Sequence, residues 1–278
     1  MRSPLLSIVI ANYNYGRFLE EAIQSVLSQS YDDYELIIVD GGSTDNSVEI
    51  IKKYADRIAW WCSEQDKGQS DAFNKGFAHA RGRFLTWLNA DDVMFPGALK
   101  AVARQIKNHP KREWFVGSSA YVDKELRITK WFCCHRFSDI RARYGFLTCG
   151  GPSSFFTKRL LIRVGGFDVA LHFLMDIDLW YRCYYVGKQR YVRVIHPVFA
   201  YRIHETSKMS GADVVQDANA LRNRKRAQSE FEVLRARYKI PNSCVRRIVT
   251  VFSLSIVDKM VSLLMTGIEK GKVVTCGK

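Results

Sequence analysis

Short apolar runs alternate with amphipathic segments through the first 110 residues of the chain. Runs rich in β-branched residues at 5–11, 35–39, 58–62 and 83–88 predict buried strands. Apolar residues at helical spacing lie between and after them, at 18–27, 47–54, 70–80 and, following Pro96, up to residue 106. This alternation predicts an α/β fold with a doubly wound, Rossmann-like sheet.

The second half of the chain has a less regular pattern. It predicts a strand pair at 114–122 and 127–132, strands at 155–156 and 190–194, and helices at 158–164 and 175–186. From about residue 214 the pattern is helical, and apolar positions within 247–268 follow helical spacing. We therefore expect one α/β domain at 1–210, with halves at 1–110 and 111–210, followed by a helical extension at 211–278.

The net charge of +14 and the pI near 9.5 imply a polyanionic partner. Residues 222–247 hold nine Lys or Arg and two Glu, so half of the excess charge lies in the extension. The amphipathic helix predicted at 247–268 either packs on the core or lies in an anionic membrane interface, and the sequence leaves both readings open. No apolar run reaches the ~18 residues expected of a transmembrane helix.

The cysteine pattern disfavours disulfide and zinc frameworks. There are seven cysteines, Cys133 and Cys134 are adjacent, and no CxxC pair occurs. Reduced thiols and the absence of a recognisable signal peptide favour a cytoplasmic protein. No GxGxxG follows any predicted strand, which disfavours a dinucleotide cofactor.

Acidic residues follow two of the predicted strands. Asp40 ends the second strand, and Asn89-Ala90-Asp91-Asp92 follows the fourth. Strand ends of an α/β sheet are where ligands bind, and adjacent carboxylates there are costly without a nearby cation. Divalent metals favour carboxylate and phosphate oxygens together, so the pattern predicts a nucleotide-diphosphate site.

Five segments carry a family resemblance: SIVIANYN (7–14), IVDGGSTD (38–45), DKGQSDAFNKG (66–76), LNADD (88–92) and MDIDLW (175–180). Together they resemble family 2 of the inverting nucleotide-sugar glycosyltransferases, over about residues 5–207. The resemblance implies a GT-A fold with a mixed central sheet. It makes 1–110 the nucleotide-sugar-binding half and 111–210 the acceptor and catalytic half.

The resemblance also implies roles for individual residues in donor binding. Asp40 matches the carboxylate that accepts from the uracil ring, and Asp66 and Asp71 lie where the family contacts base and ribose. Lys75 is placed to reach a phosphate. The nucleotide contacts after the first strand are Asn12, Tyr13 and Asn14.

The remaining implied roles concern the metal and the base. The resemblance implies Mn²⁺ or Mg²⁺ held by Asp92, with Asp91 on ribose or in the metal's outer shell. The segment 89–92 matches the position of the family's DxD motif. Asn89 stands where that motif has its first acidic residue, so this chain departs from the strict motif. His204 matches a second metal ligand in some members. Asp176 matches the catalytic base.

We therefore expect a metal-dependent transfer from a UDP-sugar to a glycan or lipid-linked glycan, at the cytoplasmic face of the membrane. Two alternatives remain open: a sugar nucleotidyltransferase, and a non-catalytic basic scaffold binding membrane or nucleic acid. The loop at 12–17 lacks the Gly-rich, basic character of a nucleotidyltransferase, and a nucleic-acid partner is disfavoured. The pattern does not indicate which sugar or acceptor is used, or the oligomeric state.

Overall fold

A computed structural model describes residues 3–145, 147, 151–205, 207, 218–241 and 274. Its strands are β1 Leu6–Asn12, β2 Tyr34–Asp40, β3 Trp60–Ser63, β4 Phe84–Asn89, β5 Val93–Met94, β6 Trp114–Val122, β7 Ile128–Phe132, β8 Ser154–Thr157 and β9 Val192–Arg202. Its helices are α1 Gly16–Leu27, α2 Ser47–Lys53, α3 Gln69–His79, α4 Ala98–Asn108, α5 Asp139–Arg143, α6 Lys158–Val164, α7 Met175–Tyr185 and α8 Ala218–Tyr238. The predicted α/β fold is confirmed.

One mixed sheet runs through the described part of the chain, in the order β3-β2-β1-β4-β8-β6-β9-β5, and β7 pairs with β6. The strands β3, β2, β1 and β4 are mutually parallel, whereas β8 is antiparallel to β4 and β6. The carboxyl ends of β1, β2, β3 and β4 therefore meet at one edge of the sheet. The loops that follow these strands carry most of the predicted site residues.

The core lies on both faces of the sheet because successive strand residues point in opposite directions. Ile8 and Ile10 of β1 belong to the buried cluster under α1, α2 and α4. Val9 belongs to the cluster under α3, α6 and α7. A Cβ at Gly76 would lie 2.3 Å from Val9 Cγ1, so glycine allows α3 to approach β1 closely. Near-continuous apolar strands are what a sheet covered on both faces requires.

The structure differs from the sequence prediction around Pro197. We expected a strand at 190–194 and a separate segment from 197, whereas β9 is one strand of eleven residues. Its register against β6 shifts at Gly117/Ser118 and Ser118/Ser119, opposite the proline. Proline has no N–H to donate, and such an irregularity lets the strand continue past it.

The first helix of the predicted extension, α8, packs against α7. Leu234 and Ile240 are buried in the cluster beneath α7, and the ring of Tyr238 stacks on Tyr181 at 4.8 Å. Val274 lies in a third cluster, and its N–H donates to the carbonyl of Leu126. The amphipathic segment predicted at 247–268 lies outside the described residues. The domain boundary at 210 stays a prediction.

No helix in the described ranges is long and apolar enough to cross a membrane.

Candidate active site

A cleft of about 1060 Å³ opens at the carboxyl edge of the parallel strands. This volume is at the upper end of the range for small-molecule sites. Among the predicted residues, the cleft is lined by Asn12, Tyr13, Asp66, Asn89, Asp91 and Asp176. The structure therefore brings together residues from the ends of β1 and β4, the loop after β3 and the start of α7.

Tyr13 and Asp66 face each other across Gly41. A Cβ at Gly41 would lie 2.8 Å from an Asp66 carboxylate oxygen and 3.3 Å from the Tyr13 ring. The Tyr13 side chain is 60% exposed, and Asp66 accepts a hydrogen bond from the Gly68 N–H at 2.7 Å. Glycine at this position therefore lets the Tyr13 ring and the Asp66 carboxylate approach the same stretch of backbone, and all three residues line the cleft.

Asp40 is buried and does not line the cleft. One of its oxygens accepts from Asn12 Nδ2 at 2.6 Å and the Ser43 hydroxyl at 2.5 Å. The other accepts from the Ser43 N–H at 2.9 Å and the Ser63 hydroxyl at 2.6 Å. Burial alone would raise the pKa of Asp40, but these hydrogen bonds outweigh it and lower the pKa. Asp40 thus ties the ends of β1, β2 and β3 together.

Three further predicted residues lie off the cleft. Asn14 is exposed and accepts from the Thr44 N–H at 2.8 Å, joining the loops after β1 and β2. Asp71 accepts from the main-chain N–H of Lys67 at 3.1 Å. Lys75 forms an ion pair with Glu64 at 2.7 Å, which raises the pKa of the lysine. Each of these three side chains therefore bonds to another residue of the protein, away from the cleft.

Asn89 lies between two partners, which define the orientation of its amide. Its carbonyl oxygen accepts from Gln69 Nε2 at 2.6 Å, and its Nδ2 donates to Asp92 at 2.7 Å. The other Asp92 oxygen accepts from the Arg202 N–H at 3.0 Å. Burial of Asp92, with the charge of Asp91 beside it, raises the pKa of Asp92 well above its ordinary value.

This position does not fit the assignment of the metal to Asp92. Asp92 is 1% exposed and is absent from the cleft lining, whereas Asp91 lines the cleft. The two side chains diverge because β4 ends at Asn89, and the chain turns back through Asp92, whose N–H donates to the Asn89 carbonyl. No sequence pattern indicates which of two adjacent carboxylates is buried and which faces the cleft.

Asp91 is paired with His204. The His204 Nε2 lies 3.1 Å from an Asp91 carboxylate oxygen. The imidazole is enclosed by Phe18, at a ring distance of 4.5 Å, and by Tyr15, at 5.9 Å. His204 lies behind Asp91 and is not part of the cleft lining. The resemblance grouped His204 with Asp92 at the metal, whereas in the structure the histidine contacts Asp91.

Asp176 and Asp178 have the separate surroundings that the sequence predicts for residues two apart on a helix. Asp176 lines the cleft in the first turn of α7, and its carboxylate accepts from the Ile177 N–H. Asp178 is fully buried and accepts from Arg182 Nε, Arg237 Nη1 and the Tyr238 hydroxyl, each at 2.7 Å.

The cleft is acidic. Asp66, Asp91, Asp176 and Glu205 line it, and no Lys or Arg is among the described residues that do so. A diphosphate placed here would be repelled unless a cation accompanied it.

Sequence reasoning missed part of the lining. The additional polar and aromatic residues are Tyr15, Gln65, Gln69, Trp87, His172, Phe173, Tyr201, Glu205, Ser207 and Asn223. Gln69 lies within a motif that the sequence analysis recognised, but Phe173 and Asn223 carry no motif. Only the packing of α8 against the segment before α7 brings those two into the cleft.

Comparison with known proteins identifies the family. The family model described as Glycosyl transferase family 2 matches residues 7–164, more than half of the chain. An uncharacterized glycosyltransferase of Rickettsia prowazekii is 29% identical over 66% of this chain and 60% of its own length. An uncharacterized glycosyltransferase of a Nostoc strain is 43% identical over 35% of this chain and 31% of its own length. The chain thus spans only part of these relatives.

Solved structures show the same fold. TarS of S. aureus, residues 1–349 in complex with UDP, has a TM-score of 0.58 at 16% identity, over 80% of this chain and 69% of that one. The mannosyltransferase PcManGT of Pyrobaculum calidifontis, in complex with GDP-Man and Mn²⁺, has a TM-score of 0.53 at 18% identity, over 97% and 85%. The nucleotidyltransferase and scaffold alternatives find no support among these proteins. The chain belongs to glycosyl transferase family 2 and has the GT-A fold.

Proposed function

We propose that this protein is a metal-dependent, inverting glycosyltransferase that uses a nucleotide-diphosphate sugar. The observation that carries the proposal is the acidic cleft, whose described lining holds four carboxylates and no Lys or Arg. Such a site binds a diphosphate only with a divalent cation, because two sets of negative charge otherwise face each other.

Asp91 fits a divalent cation because its carboxylate lines the cleft. His204 is buried and, like Asp92, does not line the cleft. Its Nε2 lies 3.1 Å from an Asp91 oxygen, where it would orient that carboxylate toward the cation. No group of three His, Cys, Asp or Glu within the described residues is placed to hold a metal. Diphosphate oxygens and water would complete the coordination, as is usual for Mg²⁺.

A UDP-sugar is the proposed donor. Solved GT-A neighbours support a nucleotide sugar, since TarS is bound to UDP-GlcNAc in one structure and PcManGT to GDP-Man and Mn²⁺ in another. The base would contact the exposed Tyr13 ring and the Asp66 carboxylate, both of which line the cleft. Asp66 accepts hydrogen bonds from N–H donors, which suits the ring N–H of uracil and of guanine alike. The base preference is therefore a property to measure.

Asp176 is the proposed general base. A bound Mn²⁺ or Mg²⁺ would neutralise charge that develops on the leaving diphosphate. Asp176 accepts the proton of the acceptor hydroxyl as that oxygen attacks the anomeric carbon and the bond to the diphosphate breaks. A single displacement with one base and no protein nucleophile inverts the anomeric centre.

His172, Phe173 and Asn223 line the cleft, and we propose that they form its acceptor side. Asn223 lies on α8 between exposed basic residues, among them Arg222 and Lys225. We propose that the acceptor is a glycan or lipid-linked glycan at an anionic membrane surface, which this basic helix would favour.

Asp92 and Asn89 have a supporting role in the proposed site. Their hydrogen bonds hold the loop that carries Asp91.

Calorimetry of UDP binding tests the metal assignment. We expect Asp91→Asn to weaken UDP binding in the presence of MnCl₂ on the order of 100-fold, as removal of a metal-site group does. We expect Asp92→Asn to lower the melting temperature and to retain the Mn²⁺-dependent gain in affinity. If Asp92→Asn abolishes that gain while Asp91→Asn keeps it, the metal belongs to Asp92, as the family resemblance implied.

Transfer is tested with a panel of nucleotide sugars and glycan acceptors, with and without EDTA. We expect product only with metal, and a β-linked product from an α-linked donor. Transfer that persists in EDTA would refute the metal dependence.

A further inference from the structure

Helix α8 presents one face to the catalytic half. Asn223, Glu230, Leu234 and Tyr238 follow helical spacing, and we call them the inner face of α8. Asn223 lines the cleft, Leu234 is buried in the core, and Tyr238 stacks on Tyr181. Glu230 is 7% exposed. It is one of the two acids in the basic run, and the sequence analysis gave it no role.

The Glu230 carboxylate binds three consecutive main-chain N–H groups. One oxygen accepts from His172 N at 2.8 Å. The other accepts from Phe173 N at 2.8 Å and Leu174 N at 3.0 Å. Leu174 is the N-cap of α7 and supplies no side-chain cap. The first N–H groups of a helix lack intrahelical partners, and a carboxylate at that end is stabilising.

The segment held in this way forms the proposed acceptor side of the cleft. The His172 and Phe173 rings meet edge to face at 5.0 Å, and both residues line the cleft. Asp176 follows two residues after Leu174. Glu230 is thus bonded to the backbone that determines where both the aromatic wall and the proposed base are placed.

We propose that Glu230 is a positioning residue that holds segment 172–174, and through it Asp176, in the geometry needed for transfer. This inference rests on the proposed function, since it assigns Glu230 to the acceptor side of that site. Glu230 is distinct from the groups that dock α8. Asp178 bonds Arg237 and Tyr238 two turns further along, and Leu234 is buried between. Loss of the Glu230 carboxylate therefore leaves α8 attached.

Amide hydrogen exchange of the full-length protein tests the contact without requiring activity. We expect Glu230→Ala to speed exchange at residues 172–174 on the order of tenfold or more, because their acceptor is gone. Glu230→Gln keeps one carbonyl oxygen and should give an intermediate rate. The matched control is Glu232→Ala, because Glu232 is exposed on the same helix and pairs with Arg235. Exchange in Glu230→Ala equal to wild type would overturn the inference.

Steady-state kinetics test the positioning role. Displacement of reacting groups by about 1 Å costs on the order of 100-fold in rate, and we expect that loss in kcat/KM for the acceptor. The dissociation constant of UDP with Mn²⁺ should change by no more than about twofold, because the donor half lies elsewhere. Glu230→Gln should recover part of the rate, and Glu232→Ala should match wild type.

The double variant with Asp176→Asn separates positioning from general damage. If Glu230 acts through Asp176, adding Glu230→Ala to Asp176→Asn should lower residual transfer by much less than the single change does. Equal losses in both backgrounds, or a parallel loss of UDP affinity, would overturn the inference. Wild-type protein that transfers no sugar would refute the proposed function, and the exchange rates would still decide whether Glu230 holds the segment.

Discussion

Asp176 and Asp178 are two residues apart on α7 and lie in opposite environments. Asp176 faces the cleft, where an acceptor hydroxyl can reach it. Asp178 is enclosed, and both its oxygens are bonded to groups of α7 and α8. At the scale of single residues, the carboxylate proposed as the base and a carboxylate that holds helices together therefore lie only two positions apart on α7.

Paired asparagine substitutions test this separation. We expect Asp176→Asn to bind UDP-sugar normally and to lose about 100- to 10,000-fold in transfer rate, the range of a general base. We expect Asp178→Asn to lower the free energy of unfolding by about 3 kcal/mol, because it breaks a buried ion pair, with a smaller effect on turnover. Chemical denaturation and initial rates measure the two effects. A catalytically dead Asp178→Asn beside an active Asp176→Asn would reverse the roles.

At the scale of elements, a buried carboxylate joins three segments at the opposite edge of the sheet from the cleft. Glu35 of β2 accepts from the Ser7 hydroxyl of β1 at 2.7 Å. It also accepts from the Arg81 N–H at 2.6 Å and Arg81 Nε at 2.8 Å, just before β4. Burial alone would raise the pKa of Glu35, but the hydrogen bonds outweigh it and lower the pKa.

Acid denaturation tests the contribution of Glu35. Because its pKa is lower in the folded protein, its contribution to stability is present above the ordinary value of 4.5 and is lost as the pH falls through the folded value. We expect Glu35→Gln to be less stable than wild type at pH 7, with the difference shrinking below pH 4.5. The control, Glu49→Gln on the exposed side of α2, should stay within about 0.5 kcal/mol of wild type. A difference that grows with acidity would contradict this explanation.

At the scale of the whole molecule, the excess positive charge is distributed unevenly. Helix α8 carries Arg222 and Lys225 on its exposed side, and its inner face contributes Asn223 to the cleft. Arg246 and Arg247, which the sequence analysis places in the basic run, lie outside the described residues. The helix therefore offers a cationic surface beside the cleft.

Vesicle sedimentation tests whether this surface binds anionic lipid. Each basic residue near such a membrane contributes about 1 kcal/mol, so replacing both Arg222 and Lys225 by Gln should weaken binding on the order of 30-fold at low salt. The matched control replaces Lys107 and Lys111, exposed at the end of α4, by Gln. Binding lost equally in both variants would indicate a general charge effect, and binding unchanged in both would exclude this surface as a membrane contact.

The sequence by itself determined the order of the elements, the fold and the family. Apolar strands and amphipathic helices have distinct periods, so local pattern was sufficient for the elements from β1 to α4 except the two-residue strand β5. The motifs after these strands predicted which loops form the cleft, because parallel strands bring their carboxyl ends to one edge. The strand predicted at 190–194 continues past Pro197 to Arg202, because the register shift that accommodates the proline depends on the partner strand, β6.

Only the tertiary structure decided which side chains of those loops face the ligand. Asp91 and Asp92 are adjacent and chemically identical, and the turn after β4 decides which is buried. Asp40 matched a family contact but is held by four internal hydrogen bonds. Glu230 lies 54 residues after Asp176 in the chain and in a different helix. Contacts between residues this far apart leave no local periodicity, so packing alone brings Glu230 to the backbone before α7.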